Sequence, residues 1–328
     1  MKTIRILLAL CAALTLLAQN AHKAEAKKEI VLACETSLVT APVWIAESKG
    51  YFQEKGVKVR IKEFDSGKAS LAAMLKNKDI DICTVANTPI VFKSFERDDF
   101  VIIAAMLYSD NIAKVLARTD KGIRNPRGLE SKRVGITKGT TGQFFLDAFL
   151  TFRGIVPSKV AVVDLKPSEL PKALAEGGVD AICTWEPHIL TAKQLLGNKA
   201  HILLGEGIYR AAFYFVARRD FAENNPEALK GFLRAIQKGE ELIQREEDKS
   251  IDIVCQRLGS DRKLTESIWG DFVFQLMLDQ MILMSLEDVA RWAIKQGLTT
   301  QKEVPNYLDY IYMDALDEVR PEAVTIIR

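Results

Sequence analysis

The segment 134–143, VGITKGTTGQ, carries the sharpest chemical signal of this 328-residue sequence. It predicts a strand that ends at Thr137, a tight turn at Gly139 and a helix that begins near Thr141. The first N–H groups of a helix have no internal partners and lie at the positive end of its dipole. Beside them, the hydroxyl groups of Thr140 and Thr141 would complete a site for an anionic oxygen cluster. The simpler alternative is that Thr140 only caps the helix.

Small polar residues also stand at the ends of other predicted strands. The group comprises Thr36, Ser37, Ser66, Gly67, Asn87, Thr88 and Glu186. Residues of these types would suit a site for a polar solute, because they can donate or accept hydrogen bonds. They are also common at helix starts, so each of them alone is a weak signal.

Three larger side chains add recognition chemistry. Trp185 follows a predicted strand, where its ring would form a flat wall for a ligand; packing between two lobes is the alternative. Arg210 would pair with a sulfonate or carboxylate, although a solvated surface arginine is the simpler interpretation. Tyr214 lies nearby, where the chain is expected to pass back from one lobe to the other.

Catalysis finds little support in the sequence. The patterns G-x-S-x-G and HExxH are absent, as is the GxxxxGK[ST] pattern of nucleotide-binding loops. Beyond the amino-terminal segment only His188 and His201 are present, which disfavours a Ser-His-Asp group and a zinc or iron–sulfur site. We therefore expect no enzyme activity, no metal and no cofactor.

A pattern of elements that occurs twice would position these residues. The copies span 30–89 and 133–187, and each runs strand, polar turn, helix, strand and a further helix and strand. A Leu-x5-Asp spacing recurs at the same place, with Asp81 in the first copy and Asp180 in the second. In open α/β sheets ligands bind beyond the carboxyl ends of the strands. The repeat therefore predicts two α/β lobes with a cleft between them.

The pattern becomes helical after residue 217. The Asn-Pro pair at 225–226 predicts the start of one helix. The sequence SLED at 285–288 resembles a capping box before another, and a last helix is predicted over 305–316. This tail shows no strand of its own and is expected to pack on one of the lobes.

The amino-terminal segment, residues 1–26, is typical of a secretory signal peptide. Two basic residues precede an apolar run over 6–18, and the small residues at 24–26 predict cleavage after Ala26. The run is too short to span a bilayer. Cys11 lacks the preceding small residue of a lipoprotein site. We therefore expect export to the periplasm without lipidation.

Charge and cysteine content limit the partners further. With 45 Lys and Arg against 43 Asp and Glu, and no long charge run, we expect no nucleic acid or membrane-surface partner. None of the four later cysteines forms a CxxC pair. Cys34 and Cys83 lie on strands predicted to be neighbours, and export permits a disulfide between them. Buried cysteines in strands are more often simply small apolar residues.

Taken together, the motifs resemble the nitrate/sulfonate/taurine (SsuA/TauA/NMT1-like) family of ABC-transporter solute-binding proteins. The similarity spans nearly all of the mature chain and lies in TS at 36–37, AESKGYF at 46–52, GV at 56–57, LESKRVG at 129–135, GTT at 139–141 and WEP at 185–187. Ser131 departs from the glycine usual at its position, which should affect only a loop.

The resemblance implies an α/β type II periplasmic-binding-protein fold, with two lobes, two hinge crossings and a helical carboxyl-terminal tail packed on lobe one. Lobe one would comprise 27–112 and 208–328, and lobe two 113–207. Carried over by position, the cleft residues would be Ser37, Ser66, Gly67, Asn87, Thr140, Thr141, Trp185 and Glu186. The other candidate ligand-binding residues are Thr36, Thr88, Asp110, Gly139, Arg210 and Tyr214.

The resemblance also implies a monomer that gives its small-molecule ligand to an ABC permease and its ATPase. Family members bind taurine, alkanesulfonates, nitrate, bicarbonate or thiamin-precursor pyrimidines. The helix start at Thr140 and Thr141 suits a sulfonate. Glu186, with Asp110, would suit the amine of a zwitterion or a ring N–H of a pyrimidine. The sequence does not decide between these ligands.

Two other classes of protein compete with a solute-binding protein. One is an enzyme on the same fold, as in pyrimidine-synthesising relatives, which the export signal and the scattered cysteines disfavour. The other is a ligand-sensing module for a signalling receptor, which would need a separate membrane protein.

Overall fold

The computed structural model describes residues 29–205 and 207–327. The predicted signal peptide, Cys11 and the cleavage site at Ala26 lie outside the described residues. Strands β1 to β11 span Glu29–Glu35, Lys58–Phe64, Ile82–Ala86, Phe100–Ser109, Ala113–Arg118, Arg133–Ile136, Ala161–Asp164, Ala181–Trp185, Ala200–Leu203, Ala211–Arg218 and Val273–Met277. Helices α1 to α13 span Ala41–Ser48, Tyr51–Glu54, Gly67–Lys76, Asn87–Ser94, Thr141–Phe152, Leu170–Ala175, His188–Leu196, Arg219–Asn224, Pro226–Arg245, Glu247–Leu258, Arg262–Trp269, Gln280–Lys295 and Asp314–Val319.

The strands form two sheets whose inner parts have the same order. The six-stranded sheet runs β11-β4-β10-β3-β1-β2, and the five-stranded sheet runs β7-β6-β8-β5-β9. In the first, β1 is parallel to β2 and β3, and β10 is antiparallel to β3. In the second, β6 is parallel to β7 and β8, and β5 is antiparallel to β8. The repeat predicted from the sequence is therefore confirmed as two α/β lobes of like topology.

The repeated aspartates have the same structural role in both lobes. Asp81 Oδ2 accepts a hydrogen bond from the backbone N–H of Val31 at 3.0 Å. Asp180 Oδ2 accepts one from the backbone N–H of Arg133 at 2.9 Å. Each carboxylate stands just before one strand and bonds to the neighbouring strand: Asp81 joins the start of β3 to β1, and Asp180 joins the start of β8 to β6. The spacing that identified the repeat is explained by sheet assembly and not by ligand chemistry.

The chain crosses between the sheets twice. Residues 110–112 connect β4 of the six-stranded sheet to β5 of the other sheet, and residues 204–210 connect β9 back to β10. The two connections lie side by side, since the N–H of Gly207 donates to the carbonyl of Asp110 at 3.4 Å. The lobe boundaries expected from the sequence, after residues 112 and 207, stay a prediction.

The strand prediction for the tail needs a correction. Strand β4 is buried along its whole length and pairs antiparallel with β10 and β11. The prediction that the tail contains helices only is wrong. The tail contributes β11, which forms the edge of the lobe-one sheet and fixes the tail to that lobe.

The helix predictions in the tail are only partly right. Helix α9 begins at Pro226, as predicted. Ser285 lies inside α12 and caps no helix; this helix begins after Asp279, whose side chain accepts from the N–H of Ile282. The predicted last helix is split into a 3-10 turn at Tyr307–Tyr310 and the short α13.

The two cysteines considered for a disulfide are free thiols. Strands β1 and β3 are neighbours, as predicted, with Ala33 opposite Cys83. Cys34 and Cys83 are both buried, and burial raises the pKa of each thiol well above its usual value. They act here as small apolar side chains in the core.

Candidate ligand-binding site

A cavity of about 350 Å³, open solvent at its mouth included, lies between the two lobes. Its walls come from the carboxyl ends of β1, β3 and β8, from the starts of α3 and α5, and from the first crossing. The lining residues are Glu35, Ser66, Gly67, Lys68, Ala86, Pro89, Ile112, Thr140, Thr141, Trp185 and Phe213. Five of the predicted cleft residues meet here: Ser66, Gly67, Thr140, Thr141 and Trp185.

The start of α5 has the features of an anion site. Thr140 makes no side-chain cap to the helix; its hydroxyl donates to the carbonyl of Thr137 at 2.6 Å. The capping alternative for Thr140 is therefore wrong. Thr141 is buried, and its hydroxyl has no hydrogen-bond partner among the described residues. A buried polar group that is left unpaired is costly, so the Thr141 hydroxyl is suited to a ligand.

Glu35 is the site residue that sequence reasoning missed. It ends β1, is 3% exposed, and accepts the backbone N–H of Gly67 on Oε2 at 2.8 Å. Its other oxygen, Oε1, has no partner within the described chain. The sequence signal for Glu35 was its position in the repeat. Glu35 ends the first strand of the first copy, and Thr137 directly follows the first strand of the second copy.

Burial raises the pKa of Glu35 to about 7. Three hydrogen-bond donors act to lower this pKa, because donors favour the charged carboxylate. They are the N–H of Gly67, the Trp185 indole and the Ser37 hydroxyl. Of these three groups only Gly67 makes a hydrogen bond of good geometry, and Oε1 has no partner among the described residues. Asp65 adds a smaller upward influence on the pKa through like charge.

Gly67 is required where it stands. A Cβ atom there would lie 2.8 Å from the Cα of Val85 and 3.2 Å from Oε2 of Glu35. Only glycine lets the start of α3 approach the carboxylate closely. Ser66 caps this helix by accepting the N–H of Ala69 at 3.3 Å. The start of α3 in lobe one thus faces the carboxylate of Glu35, whereas the start of α5 in lobe two faces the cavity.

Trp185 forms one wall of the cavity and also packs against protein. It is 7% exposed and meets the ring of His188 edge to face, with 5.9 Å between centroids. His188 lies in the same lobe as Trp185, so this contact is packing within lobe two, and the role of Trp185 as a wall for a ligand stays a prediction. Burial lowers the pKa of His188 and favours its neutral form.

Glu186, predicted to contact an amine of the ligand, is already engaged within the protein. Its Oε1 accepts from Lys114 Nζ at 3.3 Å, and its Oε2 accepts from the N–H of Leu190 at 3.0 Å. Lys114 also donates to Asp271 at 2.9 Å. Asp110, the other predicted acid, is exposed and does not line the cavity. The acid inside the cavity is Glu35.

Other predicted residues lie around the cavity without lining it. Thr36 donates to Glu63 at 3.1 Å. Ser37 has an unpaired buried hydroxyl beside a neighbouring cavity of about 490 Å³. Gly139, with φ of 69°, lines another neighbouring cavity, and its N–H donates to Gln143 at 2.7 Å.

Of the remaining predicted residues, Asn87, Thr88 and Tyr214 are buried and Arg210 is exposed, and none of them lines the cavity. Asn87 donates to Ser285 at 2.7 Å and accepts the backbone N–H of Thr88 at 2.9 Å. Tyr214 is fully buried, with a hydroxyl that has no partner in the described chain. Arg210 is exposed, and its guanidinium lies 5.2 Å from the ring centroid of Tyr108.

Contacts across the cleft hold the lobes together. Lys68 Nζ, from α3, donates to the carbonyl of Lys138 at 2.6 Å. The indole N–H of Trp292, from α12 in the tail, donates to Asp147 of α5 at 3.0 Å. Each of these hydrogen bonds joins an element of lobe one to an element of lobe two, so the lobes are in direct contact in this structure.

The described residues contain neither a metal-binding group nor a membrane-spanning helix. Among the described residues, no group of three or more His, Cys, Asp or Glu side chains is placed to hold a metal ion. Within the same residues, no helix is both long enough and apolar enough to cross a bilayer.

Two like α/β lobes, two crossings and a cavity between the lobes define the periplasmic solute-binding-protein fold. The chain belongs to the NMT1/THI5-like family, whose model matches residues 38–249. The alkanesulfonate-binding protein SsuA of Xanthomonas axonopodis pv. citri, solved with MOPS, shares the fold with a TM-score of 0.77 at 18% identity. That match covers 88% of this chain and 100% of SsuA.

Two curated proteins are similar in sequence. A Bacillus subtilis (strain 168) protein, provisionally named as aliphatic sulfonates-binding, is 29% identical over 74% of this chain and 73% of its own length. The taurine-binding periplasmic protein of Escherichia coli (strain K12) is 27% identical over 63% of each chain. The family and fold expected from the sequence are confirmed.

Proposed function

We propose that this chain is an exported, non-enzymatic solute-binding protein of an ABC importer. It captures a small organic anion or zwitterion, of the sulfonate or taurine type, in the cleft between the lobes and delivers it to a permease and its ATPase. Names of the related proteins support this class of ligand. As expected from the sequence, it would act as a periplasmic monomer.

One observation carries the proposal: the unpaired, buried hydroxyl of Thr141 at the first residue of the 12-residue helix α5. The free N–H groups of a helix start and a hydroxyl that lacks a partner together attract anionic oxygen. The cavity is small, which favours compact ligands. Closure of the lobes would then remove the ligand from solvent and create the form that a permease recognises.

Calorimetric titration with taurine, alkanesulfonates, nitrate, bicarbonate and aminopyrimidines tests this proposal. We expect one-to-one binding of a sulfonate or a zwitterion and a rise of melting temperature with ligand concentration, because the ligand binds only the folded state. Binding confined to nitrate, bicarbonate or a pyrimidine would replace the ligand class. Failure of every compound to bind would contradict the proposed role.

A further inference from the structure

The two lobes present opposite chemistry to the cavity. Lobe two offers donors, namely the hydroxyl of Thr141 and the start of α5. Lobe one offers an acceptor, the unpaired Oε1 of Glu35. Both residues line the same cavity, so a single small ligand can contact them together.

Nothing in the described part of the protein supplies Glu35 with a counter-charge. Lys68 lines the cavity, but its ammonium group is exposed and donates to the Lys138 carbonyl. Asp65, close by, carries the same charge as Glu35. Gly67 provides one backbone hydrogen bond to Oε2 and leaves Oε1 unpaired.

A buried carboxylate that has no counter-charge and one oxygen without a hydrogen bond is unfavourable. A donor on the ligand would remove this penalty, and a protonated amine would do so best because its hydrogen bond is charge-assisted. If the anionic group of a ligand lay beside Glu35, repulsion between the two negative charges would increase the penalty. A ligand with an anionic group alone would therefore satisfy Thr141 and leave Glu35 unpaired.

We propose that Glu35 is the specificity-determining residue of the site, and that it selects ligands with a protonated amine opposite the anionic group. This inference rests on the proposed function and narrows it to small zwitterions. Ligands that lack the amine but keep the anionic group bind weakly. The sequence pattern alone favours Glu186 for this role, but its two oxygens are occupied by Lys114 and Leu190.

The test compares two sulfonates of nearly equal size, taurine and ethanesulfonate, by calorimetry at pH 8 on the full-length mature protein. One charge-assisted hydrogen bond corresponds to about 10- to 100-fold in affinity, and we expect taurine to bind more tightly by that factor. Glu35→Gln should remove most of this preference, mainly by weakening taurine. Glu63→Gln, an exposed acid on β2 outside the cavity, is the matched control and should retain the preference.

The outcomes separate the two proposals. Equal affinity of the native protein for the two sulfonates would overturn the role of Glu35 and leave sulfonate capture intact. Tighter binding of ethanesulfonate, strengthening from pH 8 to pH 6, would mean that a neutral Glu35 donates to the anion, and would also overturn it. Absence of binding for both compounds would overturn both proposals. Because the ligand pair is compared in the native protein, the test holds even where Glu35→Gln fails to fold.

Discussion

The backbone N–H of Gly67 donates to Oε2 of Glu35 at 2.8 Å, and the other oxygen of Glu35 is buried with no partner among the residues that the structure describes. One bond holds the carboxylate in place while its burial raises the pKa to about 7. Without a ligand, the site therefore keeps an acid that is more easily protonated in the folded chain than in the unfolded one.

The first prediction concerns stability against pH in the absence of ligand. Because the pKa of Glu35 is raised from 4.5 to about 7, the folded state holds the proton more tightly. The free energy of unfolding contributed by this group is therefore greatest below pH 4.5 and falls as pH rises to 7, by about 3 kcal/mol. Glu35→Gln should gain stability relative to the native protein over this interval, as measured by urea unfolding at pH 4.5, 6 and 8.

The control for this experiment is Glu63→Gln. The pKa of Glu63 is lowered by its hydrogen bond to Arg257, so this variant should not gain relative stability as pH rises. A constant difference between native protein and Glu35→Gln from pH 4.5 to pH 8 would show that burial does not shift the Glu35 pKa.

A second prediction concerns the anion site. Thr141→Ala should weaken binding of a sulfonate by about 1 to 3 kcal/mol, because the ligand oxygen loses a buried hydrogen-bond partner. Calorimetry gives the affinity directly. Thr191→Ala is the control, since the Thr191 hydroxyl is exposed and donates to the carbonyl of Pro187 in the same lobe. An unchanged affinity in Thr141→Ala would reduce this residue to a structural role.

The bond between Trp292 and Asp147 yields a third prediction. Trp292→Phe keeps an aromatic ring but removes the N–H that joins the tail to lobe two. The closed form should lose about 0.5 to 1.5 kcal/mol, so ligand affinity should fall by about 2- to 10-fold although no cavity residue has changed. Small-angle scattering should show a larger open fraction at subsaturating ligand. Asp147→Asn retains an acceptor and should bind nearly normally; an equal loss there would argue against the hydrogen bond.

The fourth prediction concerns the departure from the family pattern at Ser131. Its φ of 62° lies in the left-handed region, and it is the one non-glycine residue with positive φ among those described. Ser131→Gly should therefore raise the free energy of unfolding by about 0.5 to 1 kcal/mol, since the strain exceeds the entropy cost of glycine. Chemical denaturation measures this. Ser131→Ala keeps the strain and should show no gain.

Local patterns are sufficient to predict the lobes and one end of the site. The spacing that ends at Asp81 and Asp180 is set within a single α/β unit, so it is recognisable in the order of the residues alone. The start of α5 is predictable for the same reason, because a strand, a turn and a helix that follow each other determine where Thr140 and Thr141 lie.

Contacts between distant segments decided the rest. The pairing of β11 with β4 joins parts of the chain more than 150 residues apart, and no local pattern distinguishes such a strand from part of a helical tail. Glu35 and Glu186 are both acids at the carboxyl end of a strand. Lys114, from another strand, pairs with Glu186, whereas Oε1 of Glu35 has no partner among the described residues. The sequence alone determined two lobes and a helix start suited to an anion. Only the tertiary structure determined which acid lines the cavity with an oxygen free, since that depends on which carboxylate receives a partner.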